Sequence, residues 1–318
     1  MQTRRLGALT TTAIGFGTLG LTGGYGAVGR DESVAAIRHA LDSGMRLVDT
    51  ADFYGGGRVE SVVAAAVAGR DDVTIATRGG ALFTPEGRPA GVDGSPEHLR
   101  RACDASLRRL GVPRIGLYYL ARVDPRVPVE DSVGALAELV AEGKIAHIGL
   151  SEATAQELAR AVAVHPVAAL ASEYSLFERG VEAEVLPAAR ALGVGLVACS
   201  PLGRGLLTGR IIASDSLGEG DFRRNHPRFS AAHLGDNLAL VAGAQEIATR
   251  RNVSLVRLAL AWLLAQGPDI VAIPSSRTAM HAEMNAAAAD VELTEEDLRQ
   301  LSEAMPPGAA SGDRRPRR

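Results

Sequence analysis

Lysine is almost missing from this 318-residue chain: Lys144 is the only one, and arginine carries every other basic charge. A role that needs a titrating ammonium group therefore has one candidate in the whole sequence. Cysteine is nearly as scarce, with Cys103 and Cys199 alone, which excludes a disulfide framework and fits reduced thiols in a cytoplasmic protein. Nowhere does an apolar run approach the roughly 18 residues of a membrane span. Arg4-Arg5 invites an export-signal reading, but the stretch behind it is broken by Thr and Gly and makes a poor signal core. Basic charge is not in excess, since 34 Lys+Arg face 37 Asp+Glu for a net charge of −3. Nucleic acid and a membrane surface are thus not expected partners. No His, Cys or carboxylate cluster stands at ligand spacing, so no metal is expected.

What the chain does have is alternation. Short apolar runs near 13–17, 46–49, 73–77, 115–120, 146–150, 167–172, 194–198 and 269–273 read as strands. Between them lie amphipathic patterns near 31–44, 57–69, 96–110, 130–142, 154–164 and 181–192, then 236–251 or onward through Trp262, and 278–288. Eight βα units with continuous apolar strands predict an α/β fold, a (β/α)8 TIM barrel, over a doubly wound sheet. Residues 3–12 read as an N-terminal hairpin able to plug one end. Thr294, with Asp297 three residues on, opens an extra C-terminal helix over 294–304. Residues 1–305 form the single barrel domain in this reading, and the tail from Pro306 to 318 is expected to be disordered. Long loops at 79–94, 121–129 and 203–233 are expected at the mouth, as substrate walls or lids.

In such barrels chemistry sits on the loops after the strands. Asp49 ends the second strand and Tyr54 follows on its loop, a carboxylate and a phenol able to converge on one bound group. Alone, that spacing equally describes a helix-capping Asp and a Tyr packed under a loop.

The strings GFGTLGL (15–21), DTADFYG (49–55), SLRRLG (106–111), YYLARVDP (118–125), GKIAHIGLSEA (143–153), SEYSL (172–176), SPLGRGLLTG (200–209) and DIVAIPSSR (269–277) occur in order. Together they resemble an aldo-keto reductase along almost the whole chain. The resemblance implies NADPH across the barrel mouth and carbonyl reduction by an Asp, a Tyr, a Lys and a His. Asp49 and Tyr54 match the first two. The lysine position, in IATRGG, holds Arg78, and the histidine position, in YYLARVDP, holds Ala121. Arg78 is a fixed cation that can pair with Asp49 and lower the pKa of Tyr54, yet it cannot relay a proton as lysine does. Ala121 neither donates a hydrogen bond nor polarises a carbonyl. Only His226 and His233, on the 203–233 loop, are placed to swing toward the mouth in its stead.

At the implied cofactor positions Ser151 and Glu152 match the carboxamide pair, and Ser200, Leu202, Gly203 and Arg204 match the pyrophosphate loop. Ser276 and Asn285 match at the adenine end, where Arg277 is a further candidate. Ala171, Cys199, His281 and Met284 stand where the family has Gln, an aromatic, Arg and Glu. Six replacements thus fall on catalytic and cofactor positions while the framework strings hold. The expectation is an aldo-keto-reductase-like enzyme that has lost NADPH-dependent carbonyl reduction. Its Asp49, Tyr54 and Arg78 would perform non-redox acid–base chemistry on a small-molecule, secondary-metabolite intermediate, in a pocket widened at Ala121 and Ala171. An atypical NADPH-dependent oxidoreductase and a non-catalytic binding protein remain open beside it, as does binding of no cofactor at all. The sequence leaves the oligomeric state open.

Overall fold

The computed structural model describes residues 1–84 and 87–314. The chain opens with an antiparallel hairpin, β1 (Thr3–Leu6) and β2 (Leu9–Thr12), turned at Gly7 with φ of 56°. The first half of the barrel follows as β3 (Phe16–Gly17), α1 (Arg30–Asp42), β4 (Leu47–Asp49), α2 (Arg58–Val67) and β5 (Thr74–Gly79). A second hairpin, β6 (Ala81–Phe83) and β7 (Pro89–Val92), interrupts the alternation before α3 (Pro96–Leu110). Then come β8 (Ile115–Leu120), α4 (Val129–Ala141), β9 (Ile145–Ser151), α5 (Ala155–Val164), β10 (Val167–Glu173), α6 (Val185–Ala191) and β11 (Gly195–Cys199). The last elements are α7 (Leu234–Arg250), α8 (Leu255–Ala265), β12 (Ile270–Ala272), α9 (Ala279–Ala286) and α10 (Glu295–Ala304).

Eight parallel strands run in the order β12-β11-β10-β9-β8-β5-β4-β3. Parallel bridges from Ile14 to Ala272 and from Gly17 to Ser275 close β3 onto β12, so the sheet is the expected (β/α)8 barrel. Strands this short are stable because both faces are buried: outward side chains pack under the helices, and inward ones form their own cluster. That inner cluster includes Leu47, Ala76, Leu117, Tyr119, Ala171 and Val197, with Leu6 and Leu9 of the hairpin plugging its floor. The expected extra helix is α10, capped by Thr294 and Asp297 in reciprocal hydrogen bonds of 2.7–3.2 Å.

One expectation is narrowed and two change. Of the two readings of the pattern from 236, the one that stops near 251 holds and a separate helix, α8, follows, because Asn252 takes a left-handed φ of 53° and Ser254 caps a new start by accepting from Arg257 N–H at 3.3 Å. The 79–94 loop contains β6 and β7, and Phe83 stacks on Phe53 at 4.5 Å, pinning that hairpin to the loop that carries Tyr54. Finally, residues 306–314 do not behave as the expected disordered tail. Ser311 exchanges hydrogen bonds with Asn237 at 2.8 and 2.9 Å, and Arg314 reaches the barrel mouth to grip Glu152 at 2.6 Å and Glu173 at 2.9 Å. Composition reads that stretch as unfolded because the partners that order it lie far away in sequence. Residues 315–318 of the expected tail lie outside the described residues.

The hairpin plug leaves little slack. A Cβ on Gly195 would fall 2.4 Å from Leu6 Cδ2 and 2.6 Å from Leu6 Cα. Gly195→Ala is therefore expected to destabilise the fold by about 1–3 kcal/mol through overpacking. A lowered urea midpoint with an unchanged slope checks this.

Candidate active site

Asp49 leaves the sheet at the end of β4, and Arg78 lies near the end of neighbouring β5. Both are almost fully buried. Arg78 Nη2 donates to Asp49 Oδ1, and its Nε donates to the Thr50 carbonyl at 3.3 Å. Burial works against the charge of Arg78, but Asp49 together with Cys199, Tyr54 and Tyr119 outweighs it, and the guanidinium stays a permanent cation. Asp49 is pushed up by burial, opposed by Arg78. Tyr54 stands on the following loop, its ring edge-on to Phe53 at 5.1 Å. Burial raises the Tyr54 pKa above its ordinary value, and Arg78 pulls the other way. The lowered phenol pKa expected from the sequence is thus outweighed by desolvation.

All three residues line one cavity of about 340 Å³ that also exposes Cys199. The loop 203–233, folded into short 3-10 turns, forms its roof through Arg204, Thr208, Arg210, Leu217 and Arg223. The roof is latched to the 18–26 segment by Phe222 N–H donating to the Gly24 carbonyl at 3.0 Å and by Phe222 edge-on to Tyr25 at 4.7 Å. Ser200, Leu202, Ser276 and Arg277 line the same space. Its far end gathers Arg210, Arg277 and His281. Neither arginine is in an ion pair among the described residues, and both hold the His281 pKa down, after burial. His281 Nε2 is buried with no hydrogen-bond partner. Two unpaired guanidiniums beside an orphaned polar atom suit an anionic group.

Other predicted residues lie elsewhere. Ser151, Glu152, Gly203 and Asn285 do not line the cavity. Ser151 Oγ accepts from Arg122 at 3.2 Å, whereas Glu152, held at a left-handed φ of 58°, is gripped by Arg314. Arg204 lines the wall but is committed to Glu173 through both terminal nitrogens. Ala121 and Ala171 are buried and do not line this cavity, so the widening expected at those positions is not part of it. His226 and His233 do not replace the missing histidine either, because they bind the Arg314 carbonyl at 3.0 Å and Ser311 Oγ at 2.8 Å. Arg210, Arg223 and Tyr25 are cavity residues the sequence reading missed, and no local motif marks them. Among the described residues no group of three or more His, Cys, Asp or Glu side chains is placed to hold a metal.

The family follows from comparison. Residues 13–305 match the model of the aldo/keto reductase family. This chain belongs to that family. Aldo-keto reductase str7 of Strobilurus tenacellus is 40% identical, covering 100% of this chain and 96% of its own. Aldo-keto reductase yakc [NADP(+)] of Schizosaccharomyces pombe is 38% identical over 98% of this chain and 96% of its own. Among solved structures, glycerol dehydrogenase AKR11B4 of Gluconobacter oxydans superposes with a TM-score of 0.86 at 28% identity, covering 96% of each chain. An aldo-keto reductase of Klebsiella pneumoniae in complex with NADPH gives a TM-score of 0.73 at 28% identity, covering 100% of this chain and 99% of that one.

Behind the Tyr54 loop lies a second acid. Asp52 is pushed up to about 7, first by burial and then by Glu60. Glu60 is itself buried, accepting from Thr77 at 2.7 Å and Arg109 at 2.6 Å, and Asp52 Oδ1 has no partner. A carboxyl raised on folding stabilises fully below its unfolded pKa, roughly 4, and loses that contribution as pH rises through the folded value. Asp52→Asn stays neutral throughout. Its stability advantage over the parent, read from urea midpoints, is expected to grow between about pH 4 and pH 7 and then level off.

Proposed function

We propose that this family member is an NADP(H)-dependent oxidoreductase acting on a carbonyl or alcohol of a small molecule, with an arginine in place of the family lysine. The observation that carries this is the continuity of the cavity. It joins Asp49, Tyr54 and Arg78 at one end to unpaired Arg210 and Arg277 with His281 at the other. A long, anionic, two-headed ligand fits that layout better than a compact one. Arg210, Arg277 and His281 would hold a phosphate, with Ser276 beside them, while Ser200, Leu202 and Arg204 would flank the middle. Bound there, NADPH supplies the hydride.

The chain's own residues handle the proton and the charge. Tyr54 Oη gives its proton to the carbonyl oxygen as that oxygen becomes an alkoxide. The phenolate left behind is stabilised by Arg78 through space, and Asp49 holds Arg78 in place. Because Arg78 never releases a proton, Tyr54 recovers its own from water entering the cavity. The catalyst is weaker than a complete tetrad for want of a histidine at position 121. A reducing, cytoplasmic setting suits its two unpaired thiols.

The non-redox reading rested on acid–base groups retained beside eroded hydride-donor positions. The pocket widening at Ala121 and Ala171 that accompanied it lacks support, because neither residue lines the cavity, and membership of the aldo/keto reductase family favours the redox reading. A purely structural barrel is disfavoured because the 203–233 loop roofs a cavity containing Tyr54 instead of collapsing onto it. Fluorescence titration with NADPH is the test. Saturable binding is expected, with Arg210→Ala and Arg277→Ala each weakening it about tenfold, a difference of about 1.4 kcal/mol. Tyr54→Phe should lower kcat by roughly 10²–10⁴ while leaving NADPH affinity unchanged. No binding at millimolar NADPH would return the protein to the non-redox reading.

A further inference from the structure

The swap of lysine for arginine poses a steric and orientational problem. An ammonium on a flexible stem finds its place by itself, whereas a guanidinium is a plate whose edges and faces must both be fixed. Two edges of Arg78 are fixed by Asp49 and by the Thr50 carbonyl. Its face is fixed by Tyr119. The Arg78 Cζ lies 4.8 Å from the centroid of that ring, within the range of a cation–π contact, which is worth more when desolvated, as here.

Tyr119 is there because the sheet makes room for it. Arg78 on β5 is in register with Tyr119 on β8, which is in register with Gly149 on β9, and Gly149 in turn with Ala169 on β10. A Cβ on Gly149 would fall 2.4 Å from Tyr119 Cδ1, so only glycine leaves the ring its space. Ala169 and Ala171 belong to the same buried cluster as the ring. At the polar end, Tyr119 Oη is buried, and neither it nor Asp49 Oδ2 has a hydrogen-bond partner of good geometry among the described residues. Tyr119 thus touches the ion pair through its ring, against the guanidinium of Arg78.

We infer that Tyr119 is a positioning residue for the reaction proposed above: its stacked ring holds the Arg78 guanidinium in place against Asp49, so that an arginine can serve where the family has lysine. The inference rests on that oxidoreductase reading for its kinetic consequence and on packing alone for its structural one. Tyr119 touches no substrate; it acts through Arg78.

The test is a double-mutant cycle. Tyr119→Leu and Tyr119→Phe are made in the parent and in Arg78→Lys, and NADPH-dependent reduction of a simple aromatic aldehyde is followed. In the parent, Tyr119→Leu is expected to lower kcat by about tenfold with the aldehyde KM within about twofold, the signature of lost transition-state stabilisation. Tyr119→Phe, which keeps the ring, should lose about threefold or less. In the Arg78→Lys background Tyr119→Leu should cost less than about twofold, because an ammonium does not need the plate beneath it. Equal losses in both backgrounds would overturn the inference and leave Tyr119 a core residue. If the parent reduces no aldehyde, the oxidoreductase reading has failed, and the urea midpoints of the same proteins decide the positioning claim. A larger Tyr119→Leu shift with Arg78 than with lysine upholds it, and equal shifts refute it.

Discussion

The rest of the site depends on one buried ion pair, Asp49 with Arg78. Two charges removed from water are costly, and breaking such a pair by deleting one partner typically costs about 3–5 kcal/mol. The barrel meets that demand with backbone and packing: the Thr50 carbonyl accepts from Arg78, and Tyr119 lies against its face. A cation that cannot be deprotonated is thereby fixed beside Tyr54. In the reaction proposed above, that cation would keep the electrostatic part of the family lysine's role without its proton-relaying part.

A lysine in that position is both a charge and a store of protons. Arginine separates the two functions. In the reaction proposed above, proton recovery by Tyr54 would depend on access of water to the cavity under the roof over residues 203–233. The short turns there, latched through Phe222 to the 18–26 segment, would then bound both ligand entry and the solvent available to the phenol between turnovers.

Much of the fold was legible because parallel strands buried on both faces leave continuous apolar runs, and eight of them with helices between admit few architectures. Asp49, Tyr54 and Arg78 were legible for a local reason, each ending or following such a run. What the sequence hid depends on distance in three dimensions. Arg210 looks like any loop arginine until the roof folds over Arg277 and His281. Ala121 and Ala171 read as missing side chains and hence as empty space, but both are buried away from the cavity's lining. The break between α7 and α8 was only half legible: the polar run Thr249-Arg250-Arg251-Asn252 allows a stop near 251, but the largely apolar run from Leu255 to Leu264 also reads as a continuation. β6 and β7 were missed because an exposed hairpin rich in Gly and Pro carries no alternating pattern.

The ordered stretch before Arg314 has a mechanical meaning. Arg314 clasps Glu152, just past the end of β9, and Glu173, the last residue of β10, at the mouth, while β1 lies beside the plugged floor. The two ends of the molecule are therefore unequal handles. A fusion partner or immobilising linker joined at the N-terminal side would load the closed base of the barrel. Joined beyond Arg314 it would pull directly on two carboxylates at the rim, transmitting force to the wall that Arg204 shares with the cavity.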